Sequence, residues 1–525
     1  MDTKALRQKI LDLAIKGKLV PQDPNDEPAS VLLEKIRAEK QQMVKDGKLK
    51  PKDIKNDTII FKGEDSLHYE KFPDGTVKCI EDKIPFELPE GWEWTRLQAI
   101  CEPITDGTHK TPTYSDEGFI FLSSKNVTSG HIDWDNIMYI PESLHNELYA
   151  RLAPQKNDIL LAKNGTTGVA AIVDRDCIFD IYVSLALLRI IGYIISPEYL
   201  LSTIASSTIQ NYFNSSLKGI GVPNLHLEHI RTTLIPVAPI NEQYRIATKL
   251  EQLLSFADKI ESDKIFLLTT IDQTKAKILD LAIRGKLVPQ DPNDEPASIL
   301  LERIRAEKEE LIRQGRIKRD KKESVIFKGE DNSYYLKIGN LVESLNDWQI
   351  DDIPETWGIC CLGEICDYGN CINTDTKDIS ENAWILDLED IEKDTGRVIQ
   401  RLTKKERNSA SSKHLFHKGQ VLYSKLRPYL NKVVITDDDG YCTSEILPLE
   451  FSNIIFPDYA RYYIMSPTFL RYANHCSYGV KMPRLGTADG KKAVFTVPPI
   501  NEQKRIADKI NQLFSLLDSI VKNMD

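Results

Sequence analysis

The sequence predicts an α+β chain: two α/β domains separated by a long antiparallel coiled coil, pseudo-twofold and circularly arranged. Three observations carry this expectation. The block Lys9 to Lys40 recurs as Lys277 to Lys308, with 29 of 32 positions identical. A second block, Pro239-Ile240-Asn241-Glu242-Gln243 followed by Arg245-Ile246-Ala247, recurs as Pro499-Ile500-Asn501-Glu502-Gln503 and Arg505-Ile506-Ala507. Between these blocks, residues 100–235 and 365–495 share little beyond scattered apolar positions. The order is therefore shared, variable, shared, variable, shared, the mark of a duplicated unit.

The shared blocks have the period of helices. After Asn241, apolar residues fall at Ile246, Leu250, Leu253, Ala257, Ile260, Leu267, Ile271, Ile278 and Leu281. With Lys264 and Thr274 filling the two gaps, the 4-3 spacing is a heptad seam. Asn241 is the expected N-cap and Gly285 the expected residue beyond the C-cap. A helix of about forty residues spans roughly 60 Å. The second copy is divided between the chain ends. Ile506, Ile510, Leu513, Leu517 and Ile520 repeat the start of the seam, and Leu6, Ile10 and Leu13 repeat its end. The two ends are expected to meet and together imitate one long helix. Shorter helices follow, with Ser30 expected to cap residues 31–46 and Ser298 to cap 299–314. The turn LVPQDPNDEPA precedes each of them, and its near-identity suggests a shared partner surface.

These signals divide the chain into five parts. They are an N-terminal helical region (1–58), a first variable domain (59–238), a central helical region (239–324), a second variable domain (325–498) and a C-terminal helix (499–525). Each variable domain mixes short β-rich runs, such as Asp158 to Ala162 and Gly419 to Tyr423, with helix starts at Ser196-Pro197 and Phe456-Pro457.

The variable domains carry the nucleic-acid signal. Between Gly396 and Lys432 stand ten Lys and Arg residues against one acid, Glu406, in a chain whose net charge is −10. Tyr423, Tyr429, His414 and His417 interleave with them. Lys425, Arg427, Tyr429, Asn431 and Lys432 are the candidates here, joined by Lys481, Arg484 and Lys491 from a later basic stretch. Cations with aromatics suit phosphate positioning and base contact. The first domain is less basic and offers three polar, glycine-supported turns. Thr108, His109 and Lys110 lie on the first; Lys163, Asn164 and Thr166 on the second; Lys218, Asn224 and His226 on the third. Such side chains can reach base edges in a major groove.

Other chemistry is missing from the string. There is no phosphate-binding GxxxxGK[ST], no HExxH, no GxSxG and no CxxC. The Asn/Asp-Pro-Pro-aromatic motif of amino-methyltransferases is absent. Cys360, Cys361, Cys366 and Cys371 cluster without a nearby histidine, so buried or incidental thiols are expected and no metal site. No catalytic residue is expected. No apolar run approaches the roughly twenty residues of a membrane span, and Met1-Asp2-Thr3-Lys4 lacks a signal-peptide core, so a soluble cytoplasmic protein is expected.

The two PINEQ-x-RIA blocks, the repeated KILDLAI-[KR]-GKLVPQDPNDEPA and the entries Pro89-Glu90-Gly91-Trp92 and Pro354-Glu355-Thr356-Trp357 carry a resemblance. So do Leu422 to Leu430, Met482-Pro483-Arg484 and Asp106-Gly107-Thr108-His109. On these residues, along essentially the whole chain, the protein resembles the specificity (S) subunits of type I restriction–modification systems. The resemblance implies two target recognition domains, each reading one half of a bipartite, asymmetric site on double-stranded DNA. It implies helices that set the spacer and dock two methyltransferase (modification) subunits. S-adenosylmethionine, ATP and Mg would sit on the modification and restriction/translocase subunits, and no cofactor on this chain. The chain departs from the commonest layout by opening with a helical block. A self-sufficient DNA modification enzyme and a coiled-coil assembly scaffold are the alternatives; the missing methyltransferase motifs weigh against the first.

Overall fold

The repeated blocks form helices, and the variable stretches form sheets closed at their bases by short strand pairs. A computed structural model describes residues 2–128, 130–217, 223–315, 324–348, 352–407 and 411–524. The chain divides into two compact units, Met1–Asp263 and Lys264–Asp525. The helix Ile240–Ile283 gives its first part to one unit and its remainder to the other.

In the first unit, helix Thr3–Ile15 buries Ile10, Ala14 and Ile15, and Ile10 and Ala14 share one apolar core with Ile246 and Leu250 of the long helix. Arg7 is ion-paired with Asp258 and with Glu261, the latter at 2.8 Å. In the second unit, Ile506 and Ile510 of helix Ile500–Met524 share a core with Ile278 and Ile283. Lys275 is paired with Asp518 at 2.5 Å. The heptad seam is thus buried towards both ends of the long helix. In its middle, Ile260 and Leu267 are each 38% exposed. The terminal helix in each unit covers only the outer part of the seam.

Three expected caps are corrected. The long helix begins at Ile240, so Asn241 lies within the first turn, and its amide donates to Asp26. The second helix runs Ala29–Lys45 with Pro28 at the N-cap, and its counterpart Ala297–Arg313 has Pro296 there. Ser30 and Ser298 therefore lie inside the first turn, and the first amide of each helix is held from outside it: Ala29 N donates to Gly91 O (2.8 Å) and Ala297 N to Thr356 O (2.9 Å). A tertiary acceptor thus satisfies the leading amide of each helix. Gly285 does end the long helix in the left-handed conformation, with φ 68°, and Lys286 N donates back to Leu281 O at 2.9 Å.

Each variable stretch is an excursion from a two-stranded clasp. Strand Glu93–Arg96 pairs antiparallel with Leu234–Val237, and Gly358–Cys361 with Val494–Val497. Beyond the clasp the units differ. The first holds a four-stranded sheet in the order 105–106, 185–188, 159–162, 170–172, and a three-stranded mixed sheet. The second holds a three-stranded sheet around Val421–Ser424 and a five-stranded sheet running from Asn373–Thr374 to Leu402–Thr403. Before each clasp stands a three-stranded antiparallel meander, Ile59–Cys79 in the first unit and Ser324–Ser344 in the second. Cys360, Cys361 and Cys366 pack in the second unit's apolar core. Among the described residues, no helix is long and apolar enough to cross a membrane.

Candidate nucleic-acid interface

The three repeated motifs meet at one junction in each unit. In the first, Gly17 ends the N-terminal helix at φ 61°, and a Cβ there would lie 2.5 Å from Pro89 Cγ. Trp92, three residues on, donates its indole N–H to Glu242 at 2.9 Å. Asp26 of the LVPQDPNDEPA turn accepts from Asn241 (3.2 Å) and Arg245 (2.6 Å). The Gln243 side chain accepts from Ser196 N at 3.0 Å and donates to Ala238 O at 2.8 Å. The second unit repeats the pattern. Trp357 donates to Glu502 at 3.1 Å, Asp294 accepts from Asn501 and Arg505, and Gln503 accepts from Phe456 N at 2.7 Å. The Arg245 and Arg505 hydrogen bonds hold the Asp26 and Asp294 carboxyls below the ordinary range. Burial pushes the Glu242 and Glu502 carboxyls up, against the Trp hydrogen bonds that each receives. The junction fixes where helix Ile240–Ile283 leaves the first variable domain and where helix Ile500–Met524 leaves the second.

From that base the first unit brings several candidates together around Asp106. This carboxylate is buried and paired with Lys163, and His109 Nε2 lies 3.2 Å from its other oxygen. Gly107 has no room for a Cβ, which would overlap the Ile181 carbonyl. Thr108 is stitched to the neighbouring strand through Ile181 O and Val183 N at 3.1 and 3.0 Å. His109 and Lys110 beyond it are exposed. Lys163 is buried and neutralised, whereas Thr166 on the same turn is exposed. Asn164 and Asn224 face one another in an isolated antiparallel bridge. His226 is exposed at the start of helix Leu227–Arg231. Lys218 lies outside the described residues.

The second unit presents a different surface. Strand Val421–Ser424 leads into Lys425, then into Arg427 and Asn431, both in the left-handed region at φ 50° and 49°. Non-glycine residues there are uncommon and gather at functional sites. Asn431 is buried and donates to Met465 O at 3.2 Å, which anchors the turn. Arg427 and Tyr429 are exposed. Lys432 turns inward and donates to Leu388 O at 2.6 Å. Arg427 N donates to Pro483 O at 2.7 Å, and Leu485 N to Lys425 O at 3.0 Å, so the loop holding Lys481 and Arg484 lies directly alongside. Arg484 is paired with Glu445 at 2.8 Å. Lys491 is exposed on the short helix Thr487–Lys492.

Lys425 is the counterpart of Lys163, since each follows the middle strand of an antiparallel three-strand arrangement. The half-buried Lys425 has Cys371 and His414 near it rather than an aspartate; burial first, and Lys425 second after the Ile446 carbonyl's opposing bond, hold His414 below its ordinary value. Among the described residues no acidic side chain pairs with Lys425.

The ten cations between Gly396 and Lys432 do not form one basic face. Arg397 pairs with Glu392, Arg401 with Asp437 and Lys404 with Glu381. Arg407 is nearly enclosed by Asp387, Glu389 and Asp390. Acids from outside the segment neutralise much of its charge, which a count along the chain does not register.

The model of the type I restriction modification DNA specificity domain matches residues 89–269 and again 354–523. The chain belongs to that family. A type I restriction enzyme EcoAI specificity subunit of Escherichia coli is 31% identical over 431 residues, covering 70% of this chain and 63% of its own. The EcoEI specificity subunit, also of Escherichia coli, is 29% identical over 416 residues, covering 69% and 61%. This specificity-domain chain therefore spans about three-fifths of the length of both relatives. The crystal structure of an HsdS subunit from Thermoanaerobacter tengcongensis aligns with TM-score 0.46 and 16% identity, over 84% of this chain and 93% of that one.

Every candidate named from the sequence falls inside one of the two matched specificity-domain segments. The duplicated meanders precede both. Sequence reasoning passed over Asp106 as an anchor, Glu445 as the partner of Arg484, and the exposed apolar side chains Tyr478, Val480 and Met482 beside Lys481. Asp106 stood in a recognisable motif, but its buried partner Lys163, like Arg484 for Glu445, is far away in the chain, so the string did not mark either acid as an anchor. The apolar trio could have been flagged as hydrophobic residues in a glycine-containing stretch between basic ones.

Proposed function

We propose that the chain is the DNA sequence-specificity subunit of a type I restriction–modification complex and is itself non-catalytic. Each variable domain reads one half of a bipartite, asymmetric site. The observation that carries this reading is the family match in each unit, on two stretches whose loops display different chemistry. Thr108, His109, Lys110, Thr166 and His226 are the side chains offered to DNA by the first. Lys425, Arg427, Tyr429, Lys481 and Lys491 are those offered by the second. The different environments of Lys163 and Lys425 support two unlike half-sites.

The helices set the spacer between the half-sites and dock two modification subunits, which bring S-adenosylmethionine; restriction subunits bring ATP and Mg. Exposed Phe256 in the first unit and exposed Ile265 and Phe266 in the second support a docking role for the long helix. The repeat of the long-helix register by the chain ends, with three positions missing between them, supports ends that meet and a frame that closes as a pseudo-twofold ring. The test is reconstitution with the modification subunits and S-adenosylmethionine, followed by sequencing of methylated sites in a random-sequence DNA pool. A two-part motif with a fixed gap is expected. Methylation without sequence preference refutes the reading, and methyl transfer by the chain alone refutes its non-catalytic part.

A further inference from the structure

The loop Tyr478–Arg484 in the second unit ends in an apolar tip that no described residue of the unit covers. Its stem is closed by two backbone bonds, Tyr478 N to Arg484 O at 3.1 Å and Arg484 N to Tyr478 O at 3.0 Å. Gly479 turns the chain at φ 99°, and a Cβ there would lie 3.1 Å from Met482 O, so the turn favours glycine. The Arg484–Glu445 pair and the Arg427 N to Pro483 O bond hold the stem against the neighbouring loop. Beyond the stem, Val480 is fully exposed at 102%, Tyr478 is exposed to 62% and Met482 to 45%.

A small branched apolar side chain held out on a braced turn has no folding role to explain it. Its flanks limit the partner. Lys481 is its neighbour in sequence, and Arg427 lies on the adjoining loop; both are exposed. An apolar protein surface would have to desolvate those cations without compensation. A DNA groove supplies phosphates along its edges for the cations and, on its floor, one apolar feature, the thymine 5-methyl group.

Resting on the function proposed above, we infer that Val480 is a specificity-determining residue that packs against a thymine methyl in one half-site, with Lys481 and Arg427 on the flanking phosphates. The experiment uses the full chain assembled with its modification subunits. The wild-type complex first selects its site from a random duplex library. Each thymine of that site is then replaced in turn by uracil, which lacks only the methyl. One such replacement should weaken wild-type binding about fourfold, the effect of removing one buried methyl group. Val480→Ser should be insensitive at that position and unchanged at every other. Because Val480 is fully exposed, the substitution leaves the fold intact, and thermal unfolding checks this. If wild type and Val480→Ser respond alike to every uracil replacement, the assignment is overturned. If the wild-type complex selects no sequence at all, it is the specificity reading that fails, and this assignment with it.

Discussion

Gly17 and Gly47 form a paired test of the junction. Both end helices in the left-handed conformation, at φ 61° and 73°. Alanine at either position is strained in that conformation by about 1–2 kcal/mol. The surroundings differ. At Gly47 nothing lies within 4 Å of an added Cβ, while at Gly17 the Cβ would come 2.5 Å from Pro89 Cγ and 3.2 Å from Trp92 Cζ2. Neither neighbour is the free end of a flexible side chain, and Trp92 is buried and bonded to Glu242. Forcing a methyl into such packing adds about 1–3 kcal/mol. Gly17→Ala is therefore expected to cost about 2–5 kcal/mol and Gly47→Ala about 1–2 kcal/mol. Native-state hydrogen exchange, read by mass spectrometry on peptides spanning 9–18 and 40–50, measures the two opening free energies locally. A Pro89→Ala background removes the obstructing ring. There Gly17→Ala should fall to the cost of Gly47→Ala, a coupling of about 1–3 kcal/mol between positions 17 and 89. Equal costs for the two glycine substitutions, or strict additivity with Pro89→Ala, would refute the steric account of the repeated Gly-Lys and Pro-Glu-x-Trp motifs.

Three further outcomes follow from the same frame. Asp26→Asn should lower stability at neutral pH by about 1 kcal/mol by weakening the Arg245 bond; because the Asp26 carboxyl is held below its ordinary 3.8, the deficit should persist above that pH and vanish as pH falls through the depressed value, as urea unfolding across pH will show. Glu502 has the opposite sign, since burial raises its carboxyl: it favours the fold when protonated and loses that contribution as pH rises through its folded value. Glu502→Gln should therefore gain on wild type as pH climbs from about 4.5 to neutrality, and a pH-independent difference would count against the shift. Deleting seven residues from 256–267 removes about 10 Å of helix while nearly preserving its faces, so the gap between methylated half-sites should shorten by roughly three base pairs; an unchanged gap would sink the spacer role.

Much of the frame was legible in the sequence because its signals are periodic or repeated. The apolar spacing from Ile246 to Leu281 marked the long helix, and the recurrence of Lys9 to Lys40 marked the duplication. The limits were set by long-range partners. Ser30 and Ser298 have the right chemistry for caps, but the helices already start at Ala29 and Ala297, whose amides are held by the Gly91 and Thr356 carbonyls. Asn241 has the right chemistry too, yet Asp26, far away in the chain, takes its side chain. The basic stretch from Gly396 to Lys432 suggested a groove, and Glu381, Asp387, Asp390, Glu392 and Asp437 neutralise much of it. Exposed polar turns were legible as turns. Which of their side chains point outward depends on backbone geometry such as the left-handed Arg427, and no string reveals that.

The near-identity of the shared blocks has an internal explanation that a partner surface alone does not provide. Gly17, Pro89, Trp92 and Glu242 are linked by contacts, Asp26 holds Asn241 and Arg245 of the same helix start, and Gln243 ties that start to Ser196 and Ala238, so a change at one is felt at several. The second unit binds Asp294, Trp357, Asn501, Glu502, Gln503 and Arg505 in the same way. Most of the LVPQDPNDEPA turn stays exposed, with Asp26 and Asp294 turned inward, so the turn can serve both an internal role and a docking one. The clasps confine the rest of each variable stretch to an excursion from two paired strands, where the sheets have diverged in strand number without disturbing the junction. A frame whose contacts are shared among many residues, carrying excursions tied at one place each, lets the loops change while the geometry of the junction holds. Two unlike surfaces, one with its lysine neutralised by Asp106 and one with Lys425 beside Cys371 and His414, are what such a division of labour permits.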